Sequence, residues 1–109
     1  MSKAKRIAFT LQVRKDKIDA YKVAHANVWP EMLQALSETG WTNYSLFLRD
    51  DGLLIGYLET ENFEAALVGM SAKEVNHKWQ AAMGDFFEST ETSRPDERMY
   101  PLEEVFHLD

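Results

Sequence analysis

The stretch NYSLFLRDDGLLIGYLE, Asn43 to Glu59, decides how this chain folds. Asn43 to Arg49 alternate, with Tyr44, Leu46 and Leu48 on one side and Asn43, Ser45 and Phe47 on the other. A period of two with one apolar side predicts a strand that buries one face. Asp50-Asp51-Gly52 is a strong turn signal, and Leu53 to Glu59 resumes as a strand. The segment predicts a β-hairpin, and the elements on either side must pack against it.

Upstream lies YKVAHANVWP, Tyr21 to Pro30, within a predicted helix of roughly residues 17 to 37 that Gly40 closes. Tyr21 and His25 stand at i and i+4 and share a helix face, which continues through Ile18, Trp29, Met32 and Leu36. Pro30 removes one helical hydrogen bond and clashes with the carbonyl of Ala26. A break near Asn27–Trp29 is expected, with Pro30 opening a second helical piece and Trp29 and His25 lining one pocket. Before the helix, IAFTLQV at 7–13 alternates Ile7, Phe9, Leu11 and Val13 against Ala8, Thr10 and Gln12, a first strand.

Downstream, Phe63 to Met70 has a helical apolar side, and Ser71-Ala72-Lys73-Glu74 matches a capping box for a further helix. That helix places Val75, Trp79, Ala82 or Met83, and Phe86 inward. Residues 88–101 carry charge, Ser, Thr and two prolines without a period, a surface loop. Leu102 to Leu108 is expected as the last strand, with Glu104 a rim or pocket residue.

The order is β-α-β-β-α-β, an α+β chain with the ferredoxin-like split βαβ pattern. It predicts a four-stranded antiparallel sheet, helices on one face, and a single domain over 1–109. The open sheet face needs a cover, and a second copy is the economical one, giving a homodimer of dimeric α/β-barrel-like form.

The 109 residues are 45% hydrophobic and 28% charged, which fits a folded globular domain. A net charge of -6 argues against a phosphate-backbone binder, so no nucleic acid is expected. No apolar run reaches membrane-spanning length and no signal-peptide core precedes the first strand, so no membrane is expected. The absence of cysteine excludes disulfides, thiolate catalysis and a cysteine zinc site, and fits a cytoplasmic location.

Histidines at 25, 77 and 107 form no metal-binding motif, and the glycines at 40, 52, 56, 69 and 84 form no phosphate loop. Neither a metal nor a nucleotide cofactor is implied. What remains is a polar-aromatic set: Tyr21, His25, Trp29, Tyr44, Tyr57 and Trp79. Imidazole gives and takes protons near neutrality, phenols supply hydroxyls, and indole supplies an apolar wall with one donor. Such a set suits a polyhydroxylated ligand, although aromatic residues at these spacings serve equally as core.

Taken together, Tyr21-x3-His25-x3-Trp29-Pro30, Asn43-Tyr44 and Glu104-Val105-Phe106 resemble the L-rhamnose mutarotase family over nearly the whole length. The resemblance implies a dimeric sugar epimerase of this fold, with His25 as catalytic acid/base and Tyr21 and Tyr44 as sugar-binding residues. The family's paired tryptophans correspond here to Trp79 and Gln80, an amide standing in place of the second ring. Trp79, Gln80 and Trp29 complete the expected substrate-binding set, and the sugar is L-rhamnose or a close relative.

Interconverting α and β pyranose anomers needs the anomeric hydroxyl deprotonated and the ring oxygen protonated, without redox chemistry. On this reading His25 protonates the ring oxygen on opening, and the other proton acceptor is water, a backbone carbonyl or Glu104. Two other readings compete. A cofactor-independent monooxygenase of similar fold would want an apolar pocket, against which Asn43, Gln80 and Gln12 speak. A non-catalytic ligand-binding domain would tolerate loss of His25.

Overall fold

The structure is a computed structural model that describes residues 4–87 and 99–109. Strand β1 (Lys5–Gln12) leads through a 3-10 turn (Lys15–Lys17) into α1 (Ile18–Ala26) and α2 (Pro30–Glu38). The hairpin β2 (Thr42–Leu48) and β3 (Leu53–Thr60) follows, then α3 (Phe63–Ser71), α4 (Glu74–Met83) and a second 3-10 turn (Gly84–Phe86). The strands pair antiparallel in the order β1-β3-β2.

Alternation sets which face is covered. Phe9, Leu11, Leu54 and Leu58 are buried with Tyr21, Met32, Ala35, Ala66, Met70, Trp79 and Met83 in one core. The helices therefore lie on the face carrying the odd-numbered residues of β1. The opposite face is open, with Phe47 60% and Ile55 39% exposed.

The hairpin closes as its turn residues predict. Gly52 adopts φ +93°, a left-handed conformation that glycine accepts without steric cost. Its N–H donates to the Arg49 carbonyl at 2.9 Å, and the Arg49 N–H donates to Leu53 at 2.8 Å. The Gly52 carbonyl in turn accepts the Val13 N–H at 2.8 Å, tying the end of β1 to the turn.

The first helix breaks where Pro30 requires it. Pro30 is the first residue of α2, and Trp29 just before it is extended at φ -58°, ψ 134°, as the proline ring favours for its predecessor. Asn62, which the sequence reading did not single out, caps α3: its Oδ1 accepts the Ala65 N–H at 3.0 Å.

Three expectations need correction or delimitation. The capping box at Ser71 is not formed, because α3 runs through Ser71, whose hydroxyl donates back to the Val68 carbonyl at 2.7 Å. Helix α4 starts at Glu74, with Lys73 as its N-cap and no side-chain cap. Of the expected 88–101 loop, residues 88–98 lie outside the described residues, and Met99 packs against the core.

The sheet has three strands among the described residues, not four. Residues 102–108 lie beside β1 but make one backbone hydrogen bond to it, Leu102 N–H to the Ala8 carbonyl at 2.7 Å. Arg6 adds a two-pronged ion pair to Glu104 at 2.8 and 2.9 Å. The two contacts keep antiparallel register, since stepping from Ala8 to Arg6 accompanies a step from Leu102 to Glu104. A ladder does not follow, because within one chain the arm's apolar side chains have nothing to pack on: Val105 is 85% and Phe106 79% exposed.

Candidate active site

The inner sheet face and the helices enclose a cavity of about 360 Å³, within the range of small-molecule sites. Its walls are largely apolar, and its polar side chains are Tyr21, His25, Tyr44, Asn76 and Gln80. These come from α1, β2 and α4, elements brought together only by the folded core.

His25 owes its orientation to its own helix. Nδ1 lies 3.0 Å from the Tyr21 carbonyl one turn back, and a carbonyl only accepts, so the neutral ring carries its proton on Nδ1. Nε2 is then left with a lone pair. The imidazole stacks on the Tyr21 ring at 4.0 Å and meets the edge of Trp79 at 5.4 Å. Burial disfavours the imidazolium and lowers the His25 pKa, and the Tyr21 carbonyl opposes this more weakly. The resting ring is a neutral base.

Tyr21 and Tyr44 stay as phenols, because burial raises both pKa values well above the ordinary phenol range. Tyr44 lines the cavity just after a backbone irregularity in β2. Thr42 pairs with Glu59 and Ser45 with Tyr57, so three steps on β2 match two on β3. The extra residue is a β-bulge, with Asn43 at φ +48°, a conformation Asn tolerates better than most side chains. Asn43 Nδ2 donates to Glu59 at 2.9 Å on the open face. Tyr44 follows the bulge and keeps the alternation of Leu46 and Leu48, so it faces the cavity with them, and the extra residue changes the register of Thr42 instead.

Other sequence candidates fall elsewhere. Trp29 packs edge-to-face on Trp79 at 4.9 Å and is not part of the cavity wall; Val28 is. Tyr57 donates to Glu59 at 2.7 Å, and Gln12 donates to the Asp51 carbonyl at 2.9 Å, both away from the cavity. Asn43 and Gln12 therefore lend the cavity no polarity. Glu104 is held by Arg6 at the sheet edge, where the guanidinium lowers its pKa, and it does not reach the site. His77 contacts the Ser71 carbonyl and His107 contacts Asp109, each at 2.8 Å.

Two wall residues escaped the sequence reading. Trp41 is buried, donates from Nε1 to the Ala66 carbonyl at 3.2 Å, and leans on Tyr44 with ring centres 5.0 Å apart. Asn76 is buried one turn before Gln80 and accepts from its amide at 3.1 Å. A polar pair at i and i+4 flanking Trp79's face was the available signal.

The sequence profile of L-rhamnose mutarotase matches residues 6–108. A relative from Bacillus subtilis, an L-rhamnose mutarotase, is 37% identical over 106 residues, covering 96% of this chain and 99% of its own. One of the same description from Flavobacterium johnsoniae is 35% identical over 111 residues, with both chains fully covered. The crystal structure of an L-rhamnose mutarotase from Formosa agariphila superposes with a TM-score of 0.76 at 29% identity, covering 96% of this chain and 99% of that one. A full-length profile match, full-length relatives and a shared fold agree: the chain belongs to the L-rhamnose mutarotase family.

Proposed function

We propose that this chain, acting as one domain, is a sugar isomerase that interconverts the α and β pyranose anomers of L-rhamnose, with His25 as its acid/base. The observation that carries the mechanism is the Nδ1 contact to the Tyr21 carbonyl, which leaves Nε2 free to accept a proton. The sequence predicts His25 as the acid on ring opening; a half-buried, neutral imidazole favours starting as the base.

Nε2 takes the proton of the anomeric hydroxyl. The C1–O1 bond becomes a carbonyl, the C1–O5 bond breaks, and O5 keeps the electron pair. The imidazolium then gives its proton to O5. Both oxygens are bonded to C1 in the closed sugar, so one imidazole serves both and no second titratable group is needed. The aldehyde turns about C1–C2, and the reverse steps close the ring on the other face of the carbonyl. Tyr21 and Tyr44, un-ionised, supply hydroxyls to the sugar, and the face of Trp79 supports its C–H side.

The test is NMR saturation transfer between the α and β anomeric protons of L-rhamnose. Exchange above the spontaneous rate is expected when the protein is added. An unchanged rate with rhamnose and with related aldoses would remove this reading.

The open face and the arm support a homodimer. Phe47 and Ile55 on the open sheet face, with Leu102, Val105, Phe106 and Leu108 on the arm, are apolar surface that a second copy would cover, completing the arm as a fourth strand. Phe47→Asp is expected to shift the protein from dimer to monomer in sedimentation velocity, because a carboxylate there would lose its water on association. A wild-type monomer, or a variant that stays dimeric, would contradict this. No helix among the described residues is long and apolar enough to cross a membrane, and we place the reaction in the cytosol.

A further inference from the structure

We propose that Gln80 Oε1 is the acceptor for one ring hydroxyl of the sugar, and that Asn76 is the positioning residue that holds it there. The proposal rests on the sugar-isomerase reading above and assigns a recognition task within it. Helix α4 carries both residues one turn apart, and both are more than nine-tenths buried, Asn76 at 1% and Gln80 at 7% exposure.

Amide orientation is fixed by what each neighbour is able to accept. The Met70 carbonyl only accepts, and it lies 3.1 Å from the Asn76 side-chain amide, so Asn76 presents Nδ2 to it. Asn76 Oδ1 is left facing Gln80, and it too only accepts, so Gln80 presents Nε2 at 3.1 Å. The Gln80 carbonyl oxygen is what remains. It is buried, belongs to a residue of the cavity wall, and has no hydrogen-bond partner among the described residues. Buried acceptors are nearly always satisfied in folded proteins. On this proposal the ligand satisfies the orphan, and it does so with a hydroxyl donor.

The consequence is a site that distinguishes a hydroxyl from hydrogen at one ring position. A wall that offers a locked acceptor leaves it unpaired when the substrate lacks the hydroxyl, and discrimination of this kind is strong. The apolar part of the wall accepts the sugar's C–H faces without such a preference.

The experiment measures kcat/KM for anomer exchange with L-rhamnose and its 2-, 3- and 4-deoxy analogues, for the wild type, Gln80→Met and Asn76→Leu. In the wild type, loss of one of the three hydroxyls is expected to lower kcat/KM by about a hundredfold through Gln80. In Gln80→Met the penalty at that position should shrink to roughly threefold or less, with the other two penalties kept at wild-type size, the signature of a direct pair in a double-mutant cycle. Asn76→Leu should also shrink that one penalty, chiefly through KM, although Gln80 is still present; a merely structural residue would lower activity on all four sugars alike. Amide NMR spectra report whether each variant is folded, and Gln80→Met alone decides the acceptor if Asn76→Leu is not. Unchanged penalties at all three positions in Gln80→Met overturn the proposal while exchange by the wild type leaves the isomerase reading intact. Absence of exchange by the wild type with every sugar overturns both.

Discussion

Replacing His25 with alanine is expected to remove about two to four orders of magnitude of the protein's acceleration of anomer exchange, the usual contribution of a positioned acid/base. The fold should survive. His25 is only half-buried, and its hydrogen bond is to a carbonyl of its own helix. Amide NMR spectra of the variant check this, and saturation transfer checks the activity. Full exchange by a folded His25→Ala protein would overturn the mechanism while leaving family membership untouched. The pH profile gives a second handle. Burial lowers the His25 pKa, so Nε2 keeps its lone pair as pH falls through the ordinary imidazole value of about 6.5. The acid limb of the enzyme-dependent rate, where the ring is protonated, should therefore lie below the ordinary imidazole value. An acid limb at or above the ordinary value would contradict a half-buried, neutral base.

Gly56→Ala is expected to destabilise the sheet strongly. A Cβ at Gly56 would stand 2.3 Å from Phe9 Cζ and 2.6 and 2.7 Å from the two Cε atoms. Phe9 is fully buried, pairs with Gly56 across β1 and β3, and stacks near Phe63. The ring therefore has no room to retreat except toward the cavity, whose wall it forms. Forcing extra volume into a close-packed core costs about 1–3 kcal/mol, and each kcal/mol lowers Tm by roughly 4–8 °C in a domain of this size. Thermal unfolding by circular dichroism should show the drop, and KM for the sugar should rise with it. Phe9→Leu in the Gly56→Ala background should restore part of the stability by clearing the ring. A Gly56→Ala protein with wild-type Tm would mean that the ring is not wedged as described.

Much of this architecture is legible in the sequence because it rests on local rules. The alternation in β1, the glycine turn between β2 and β3, and the break at Pro30 each follow from the backbone needs of a few neighbouring residues. The pairing of Tyr21 with His25 is likewise a matter of helical pitch. What escaped depends on contacts distant in sequence. Asn43 reads as a plain alternating residue until the bulge against β3 is seen. Ser71 has the spacing of a cap, but the chain continues α3 through it and turns at Ala72 and Lys73 instead. The last strand has a strand's pattern and a strand's position, yet one chain supplies too little surface to bury it. Trp29 shares a helical face with His25 only if the helix is unbroken; the extended backbone before Pro30 turns the indole aside and offers Val28 to the cavity.

The contact between His25 and the Tyr21 carbonyl spans a single helical turn. The proton-transfer unit proposed above is thus written into five consecutive residues. The part of recognition proposed for α4, by contrast, comes from another part of the chain, where Trp79 and Gln80 meet the cavity. Descendants of this sequence are free to exchange α4 side chains and explore new sugars while inheriting the same acid/base intact.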